Sequence, residues 1–283
     1  MRIGFIGLGL MGSAMCENLV KKSGCPVTCF DVNPAAMEPL TALGAAPAAS
    51  AGEVGERCGV IFTMVPKSEH VLAVYEQLLP AARPGAVLVD MSTISPAVSR
   101  DLARRAAQAG AVMLDAPVVK SRPAALAGEL GIYVGGDAAA YERVRPLLAL
   151  MGSNIIHLGG NGNGLVMKLC HNALVAQIQN GVNEAMTLAA RAAGVDPRAF
   201  AKAISYGGGQ NFYLDSKRET LAQGDYTTAF SVENMDKDVH LAQELCRQAG
   251  LDLAGVRLSC ARYEQAMARG LAKEDFSATF KLF

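Results

Sequence analysis

The six residues GLGLMG (7–12) stand where a short apolar run, IGFI, gives way to a stretch of helical periodicity. A G-x-G-x-x-G spacing alone means little in a chain with 29 glycines. Between a strand and a helix it is far more restrictive. Gly7 permits a tight turn, Gly9 lets a pyrophosphate approach the backbone, and Gly12 lets helix and strand pack closely. The helix start, with Leu10 and Met11 between the glycines, then offers its unpaired N–H groups to phosphate oxygens. An ordinary strand-to-helix turn is the competing reading.

The next strand candidate, PVTCFD, ends at Asp31, about twenty residues past Gly12, where a dinucleotide site places the acid that receives the ribose hydroxyls. A carboxylate there repels a 2′-phosphate, and Val32, Asn33 and Pro34 supply no arginine to receive one. NAD is therefore expected in preference to NADP. A cap for the following helix is the alternative role for Asp31.

Further strand candidates follow at GVIFTMV (59–65), AVLVDM (86–91), AVMLDA (111–116) and GELGIYVGG (128–136), separated by alanine-rich helical stretches. Strands alternating with helices imply βαβ units and a mostly parallel sheet. Past residue 163 the pattern changes. Residues 164–193 carry apolar side chains at helical spacing with no proline, which is about 45 Å of helix. Asp196–Pro197 is a good helix start. A loop is expected at 206–212, and helical patterns at 232–249 and 253–268. The expected architecture is an α/β domain over 1–163 and a long helix with an all-α domain over 164–283. The length of 283 residues agrees with about two domains.

Charge narrows the partners. Lys and Arg number 26 against 26 Asp and Glu, so the basic excess of a nucleic-acid binder is missing. No apolar run approaches the roughly 18 residues of a membrane span, and the first residues lack the pattern of a secretory signal. Seven cysteines without a C-x-x-C pair, and four scattered histidines, imply reduced thiols in the cytoplasm and no structural metal.

Gly164, Lys168 and Asn172 form G-x-x-x-K-x-x-x-N on the long helix. Spacing of four puts an ammonium and an amide on one face, and Gly164 one turn earlier is expected to leave room for a ligand. A lysine on a helix is otherwise a solvated charge.

Four segments together resemble the β-hydroxyacid dehydrogenase family, of which 3-hydroxyisobutyrate dehydrogenase is typical: GFIGLGLMGSAMCENLVK at the start, DMSTISP (90–96), GLVMKLCHN (164–172) and KDVHLA (237–242). The likeness covers essentially the whole chain. It implies a doubly wound Rossmann domain, a long interdomain helix, an all-α C-terminal domain, and NAD(P)-linked interconversion of a small 3-hydroxy acid with its semialdehyde or keto form. By position it also implies that Lys168 is the catalytic lysine and Asn172 its substrate-orienting partner. Thr93 then lies near the nicotinamide ribose, Val65–Pro66 beside the cofactor, and Lys237 over cofactor and substrate, with Phe230 packing nearby. A surface ion pair is the alternative for Lys237 and Asp238. Alcohol oxidation needs a base for the hydroxyl proton. A free lysine keeps its proton to about pH 10.4, so burial or nearby cations have to lower that value. Dimers or tetramers are implied as well.

The sequence departs from the family at the substrate loop. Where the family resembles D-x-P-V-S-G-G, this chain reads DAPVVKSRPAALAG (115–128). Val119 replaces a serine, and Lys120 and Ser121 replace two glycines. Lys120 and Arg122 add cations that suit a more anionic or longer acid, or else point into solvent. A small-aldehyde reductase and a non-catalytic dinucleotide-binding regulator are the competing functions.

Overall fold

A computed structural model describes all 283 residues, which divide into two compact units, Met1–Lys168 and Leu169–Phe283. The first unit opens with β1 (Ile3–Ile6), α1 (Leu10–Lys22), β2 (Val27–Phe30), α2 (Glu38–Ala42), β3 (Ala46–Pro47), α3 (Ala51–Arg57) and β4 (Val60–Thr63). It continues through α4 (Ser68–Ala81), β5 (Val87–Asp90), α5 (Pro96–Gln108) and β6 (Val112–Asp115). These six strands form one parallel sheet in the order β3-β2-β1-β4-β5-β6. This is the doubly wound order, in which ligands bind past the carboxyl ends of the strands where the winding reverses, here between β1 and β4. Strands β1, β4 and β5 are buried throughout, so they read as continuous apolar runs rather than alternating ones. Separate apolar clusters pack the two faces: Phe5, Met15 and Leu19 lie in one, Ile61, Tyr75 and Leu102 in the other.

A second, three-stranded sheet was not anticipated. It joins β7 (Val118–Val119), β8 (Leu130–Val134) and β9 (Gly152–His157), with α6 (Arg122–Ala127) between β7 and β8 and α7 (Ala138–Leu148) between β8 and β9. Strand β7 pairs antiparallel with β8, and β8 parallel with β9. GSNIIH in β9 is largely exposed and has one clear apolar pair, so its sequence carries little strand signal.

The 31-residue α8 (Asn163–Ala193) begins in the first unit and continues into the second. The second unit adds α9 (Pro197–Ile204), α10 (Phe212–Gln223), α11 (Val232–Gln248) and α12 (Ala254–Ala268), and no strand. Asp196 caps α9 by accepting from the Arg198 and Ala199 N–H groups. Helix α10 begins at Phe212, the last residue of the expected 206–212 loop. Its charged sequence, FYLDSKRETLAQ, buries only Tyr213, Leu214 and Leu221, which hid its period. Leu169, Ala173 and Ala176 of α8 pack with Val239 and Tyr263, and further along Met186 packs with Phe200 and Leu214. No helix is long and apolar enough to cross a membrane. All seven cysteines are free thiols, and Cys16, Cys29, Cys58 and Cys260 are buried.

The parallel register lines up Thr63, Asp90 and Asp115 at the carboxyl edge of neighbouring strands. Asp90 is fully buried. Its Oδ1 accepts from Thr63 Oγ1 at 2.7 Å and from the Ser92 N–H at 3.2 Å, while Oδ2 has no partner. Burial raises its pKa to about 6, against the opposing pull of the Ser92 and Thr63 hydrogen bonds. The folded protein therefore holds this proton more tightly than the unfolded chain. Stability conferred by the neutral acid is complete below about pH 4 and is lost as pH rises through about 6, at a cost of at most about 3 kcal/mol. Asp90→Asn should remove that part of the decline and be at least as stable as the parent at pH 8. Urea unfolding at pH 4 and pH 8 measures it; an equal decline in both proteins would exclude Asp90 as the source.

Candidate active site

The glycine turn between β1 and α1 has the shape of a phosphate cradle. Gly7 has φ +91°, and a Cβ there would lie 2.3 Å from the Met64 carbonyl oxygen. A Cβ on Gly12 would lie 2.0 Å from the Gly7 carbonyl, so the helix start can approach the strand only with glycine at that position. At Gly9 the direction of a Cβ is open, with no atom within 4 Å. Gly9 is also the N-cap of α1. No side chain caps this end and the first turn holds no acidic residue, so the terminal N–H groups and the positive end of the helix dipole have no counter-charge from their own helix. That cradle fits a dinucleotide pyrophosphate. Leu10 is 53% exposed at its rim, and Met11 packs partly against the core.

Asp31 follows β2 directly. Its Oδ2 accepts from the Leu8 N–H at 2.6 Å and its Oδ1 from the Asn33 N–H at 2.8 Å, tying the acid to the glycine turn. The cap of the next short 3₁₀ turn is Asn33, not Asp31. On the other side of β1, the Val65 N–H donates to Ser92 Oγ at 2.9 Å, and Ser92 in turn rests on Asp90. Asp90 and Ser92 thus fix the Val65–Pro66 loop and the chain leading to Thr93. Neither stands out in the sequence: DMSTISP carries the family likeness, but nothing in it separates a buried brace from a ligand.

The start of α8 is held by Asp115 at the end of β6. Its Oδ1 accepts from the Gly162 N–H at 2.6 Å and its Oδ2 from the Leu165 N–H at 3.0 Å. Burial raises the pKa of this acid, and these N–H donors oppose the rise. Gly164 was expected to leave space for a ligand, and the structure corrects this. A Cβ there would lie 2.3 Å from the Tyr133 carbonyl oxygen and 2.9 Å from Asp115 Oδ2, so the missing side chain makes room for the protein itself.

One turn beyond, Lys168 is 8% exposed, and Asn172 a further turn along is 4% exposed. Neither is the solvated residue that an isolated helix face would give. In the second unit, Asn172 Nδ2 donates to Asp238 Oδ2 at 2.6 Å, and Lys237 Nζ lies 2.9 Å from Asp238 Oδ1. Asp238 is 1% exposed, so its pairing with Lys237 is not a surface ion pair. A single carboxylate on α11 thereby fixes both the α8 amide and its own neighbouring ammonium. Phe230 packs edge-on against Phe276, with ring centres 6.0 Å apart.

The 119–129 loop differs most from expectation. Lys120 is the sole non-glycine residue with positive φ, at 79°, a conformation that favours glycine. Its Nζ donates to the Glu129 carbonyl at 2.7 Å, so the ammonium turns back on its own loop. Val119 pairs with Gly131 in β7–β8, Ser121 is the N-cap residue of α6, and Arg122 is exposed on the first turn of α6.

Residues 2–159 match the family described as the NAD binding domain of 6-phosphogluconate dehydrogenase. Residues 162–283 match the family described as NAD-binding of NADP-dependent 3-hydroxyisobutyrate dehydrogenase. The chain belongs to the 3-hydroxyisobutyrate dehydrogenase-like family of β-hydroxyacid dehydrogenases. It is 37% identical to an NAD-dependent L-serine dehydrogenase of Pseudomonas aeruginosa, over 100% of this chain and 97% of that protein. It is 35% identical to the human mitochondrial 3-hydroxyisobutyrate dehydrogenase, over 99% and 85%. Its fold superposes on a Mycobacterium tuberculosis 3-hydroxyisobutyrate dehydrogenase solved with L-serine, with a TM-score of 0.92, 33% identity, and coverage of 99% and 98%. As a member of this family the protein is an NAD(P)-dependent oxidoreductase acting on the CH–OH group of small hydroxy acids, or on the corresponding semialdehydes, by hydride transfer.

Proposed function

We propose that this dehydrogenase interconverts a small anionic 3-hydroxy acid and its oxo form with NAD, using Lys168 as the general acid and base. The observation that carries the reading is the pair Lys168 and Asn172, one turn apart on α8 and both nearly buried, with Asn172 oriented by Asp238. In oxidation, Lys168 Nζ takes the hydroxyl proton, and in reduction it returns it. NAD, when bound, supplies the hydride acceptor. Gly7, Gly9, Leu10, Met11 and Gly12 hold its pyrophosphate. Asp31 receives the adenosine ribose, Val65, Pro66 and Thr93 line the nicotinamide end, and Lys237 contributes a positive charge to cofactor and substrate.

Asn172 orients the acid, and Val119, Lys120 and Ser121 form the loop edge that meets its carboxylate. The exposed Lys120 ammonium donates to the Glu129 carbonyl, and Lys120 meets the carboxylate through its backbone N–H. With Val119 in the loop, the preferred acid differs from 3-hydroxyisobutyrate. The protein works as a homodimer or homotetramer in the cytoplasm, where its free thiols stay reduced.

The test is NADH formation, and the reverse reaction, over a panel of small 3-hydroxy acids that includes L-serine, each with NAD and NADP. Turnover of at least one acid with a higher kcat/KM for NAD is expected. NAD binding without turnover on any of them would mark a regulator.

A further inference from the structure

Helix α6, which follows the Val119–Ser121 edge, is six residues long and buries only Ala125. So little apolar contact holds a helix weakly, and its last carbonyls need partners. Gly128, in the left-handed conformation, and Glu129 return their N–H groups to Ala125 O and Ala124 O. A further donor comes from far away in sequence. Asn18, on the inner face of α1 and 3% exposed, places Nδ2 2.7 Å from Ala125 O and 3.4 Å from Leu126 O, as well as 3.1 Å from Ala14 O in its own helix. The tie from Lys120 Nζ to Glu129 O closes the loop on itself. The Asn18 tie joins it to the body of the domain.

We propose that Asn18 is a positioning residue that fixes the substrate loop on the cofactor-binding helix, and so sets affinity for the hydroxy acid. This rests on the reading of residues 119–121 as the acid-binding edge. Helix α1 begins at the phosphate cradle, and Asn18 lies nine residues beyond Gly9, about 13 Å along a rigid rod. The same element that carries the glycine cradle therefore also sets the height of α6 and of the loop edge before it. One amide hydrogen on the Ala125 carbonyl, with the other held by Ala14 O in α1 itself, makes a directional tie that the apolar contacts of Ala124 and Ala125 do not supply.

Two variants without the donor, Asn18→Leu of similar volume and Asn18→Ala, test this in the full chain, with melting temperature recorded for both. The first readout is native-state trypsin cleavage after Lys120, since the bond after Arg122 precedes a proline and resists. The second is KM against kcat for the best acid of the panel, with the NAD dissociation constant measured separately. The expected result is cleavage at least tenfold faster and KM at least tenfold higher, with kcat within threefold and NAD affinity within twofold of the parent. Cleavage and KM both unchanged in whichever variant folds would overturn the proposal and leave the loop reading intact. Faster cleavage with unchanged KM would show that Asn18 holds the loop, and would overturn the substrate role of that loop instead.

Discussion

Replacing Lys168 with alanine is expected to lower kcat by about 10²- to 10⁴-fold, the usual contribution of a positioned acid–base group, while the NAD dissociation constant moves by less than about threefold. The two effects separate because the cofactor cradle is built from the β1–α1 turn and Asp31, which do not depend on the lysine side chain. The helix under Lys168 also keeps its anchor, since Asp115 holds its start through the Gly162 and Leu165 N–H groups. Lys168→Arg should be nearly as inactive as alanine, because a guanidinium does not give up its proton in the accessible pH range. Small primary amines added to the alanine variant should restore part of the rate. That rescue distinguishes a missing proton carrier from a disturbed fold. Turnover near the parent level in Lys168→Ala would remove the residue from the chemistry.

How much of this was legible beforehand follows from the range of the interactions. The cradle was legible because its glycines answer to local geometry: a positive φ at Gly7 and a close approach at Gly12 are written into a six-residue window. The long helix and the helix start at Asp196 are local in the same sense. Family likeness named Lys168 and Asn172, but a period of four alone left a solvated lysine equally open. The braces were not legible. Asn18 meets Ala125, Asp115 meets Leu165, and Asn172 meets Asp238 across 107, 50 and 66 residues. No short pattern marks a polar residue as one that will be buried against a distant partner. Gly164 shows the opposite error: a small residue one turn before a lysine looks like space for a ligand, yet it is space for Asp115. Lys120 was expected to face a substrate or the solvent; it is exposed, and at the surface its ammonium donates to the Glu129 carbonyl.

Asp31→Asn is expected to reduce the preference for NAD over NADP, read as the ratio of kcat/KM values, by about 5- to 700-fold. The carboxylate has two jobs, and the substitution separates them. Its ties to the Leu8 and Asn33 N–H groups are acceptor roles, of which the single amide oxygen of asparagine retains the one to Leu8. Its negative charge is what excludes a 2′-phosphate. Two unit charges about 4 Å apart interact by about 1 to 4 kcal/mol between the dielectric of water and that of a protein surface, and each 1.4 kcal/mol is about tenfold in affinity. Asp31 is half-buried, so the effect should fall within that span and shrink as salt is added. Much of the change should come from improved use of NADP, because repulsion is removed. The loss with NAD should be smaller, since an amide still hydrogen-bonds one ribose hydroxyl. Asp31→Ala loses the Leu8 tie as well and should weaken both cofactors together. A ratio unchanged in Asp31→Asn would place the discrimination elsewhere than this carboxylate, and the exposed residues that follow it, beginning with Val32, would be the next to substitute.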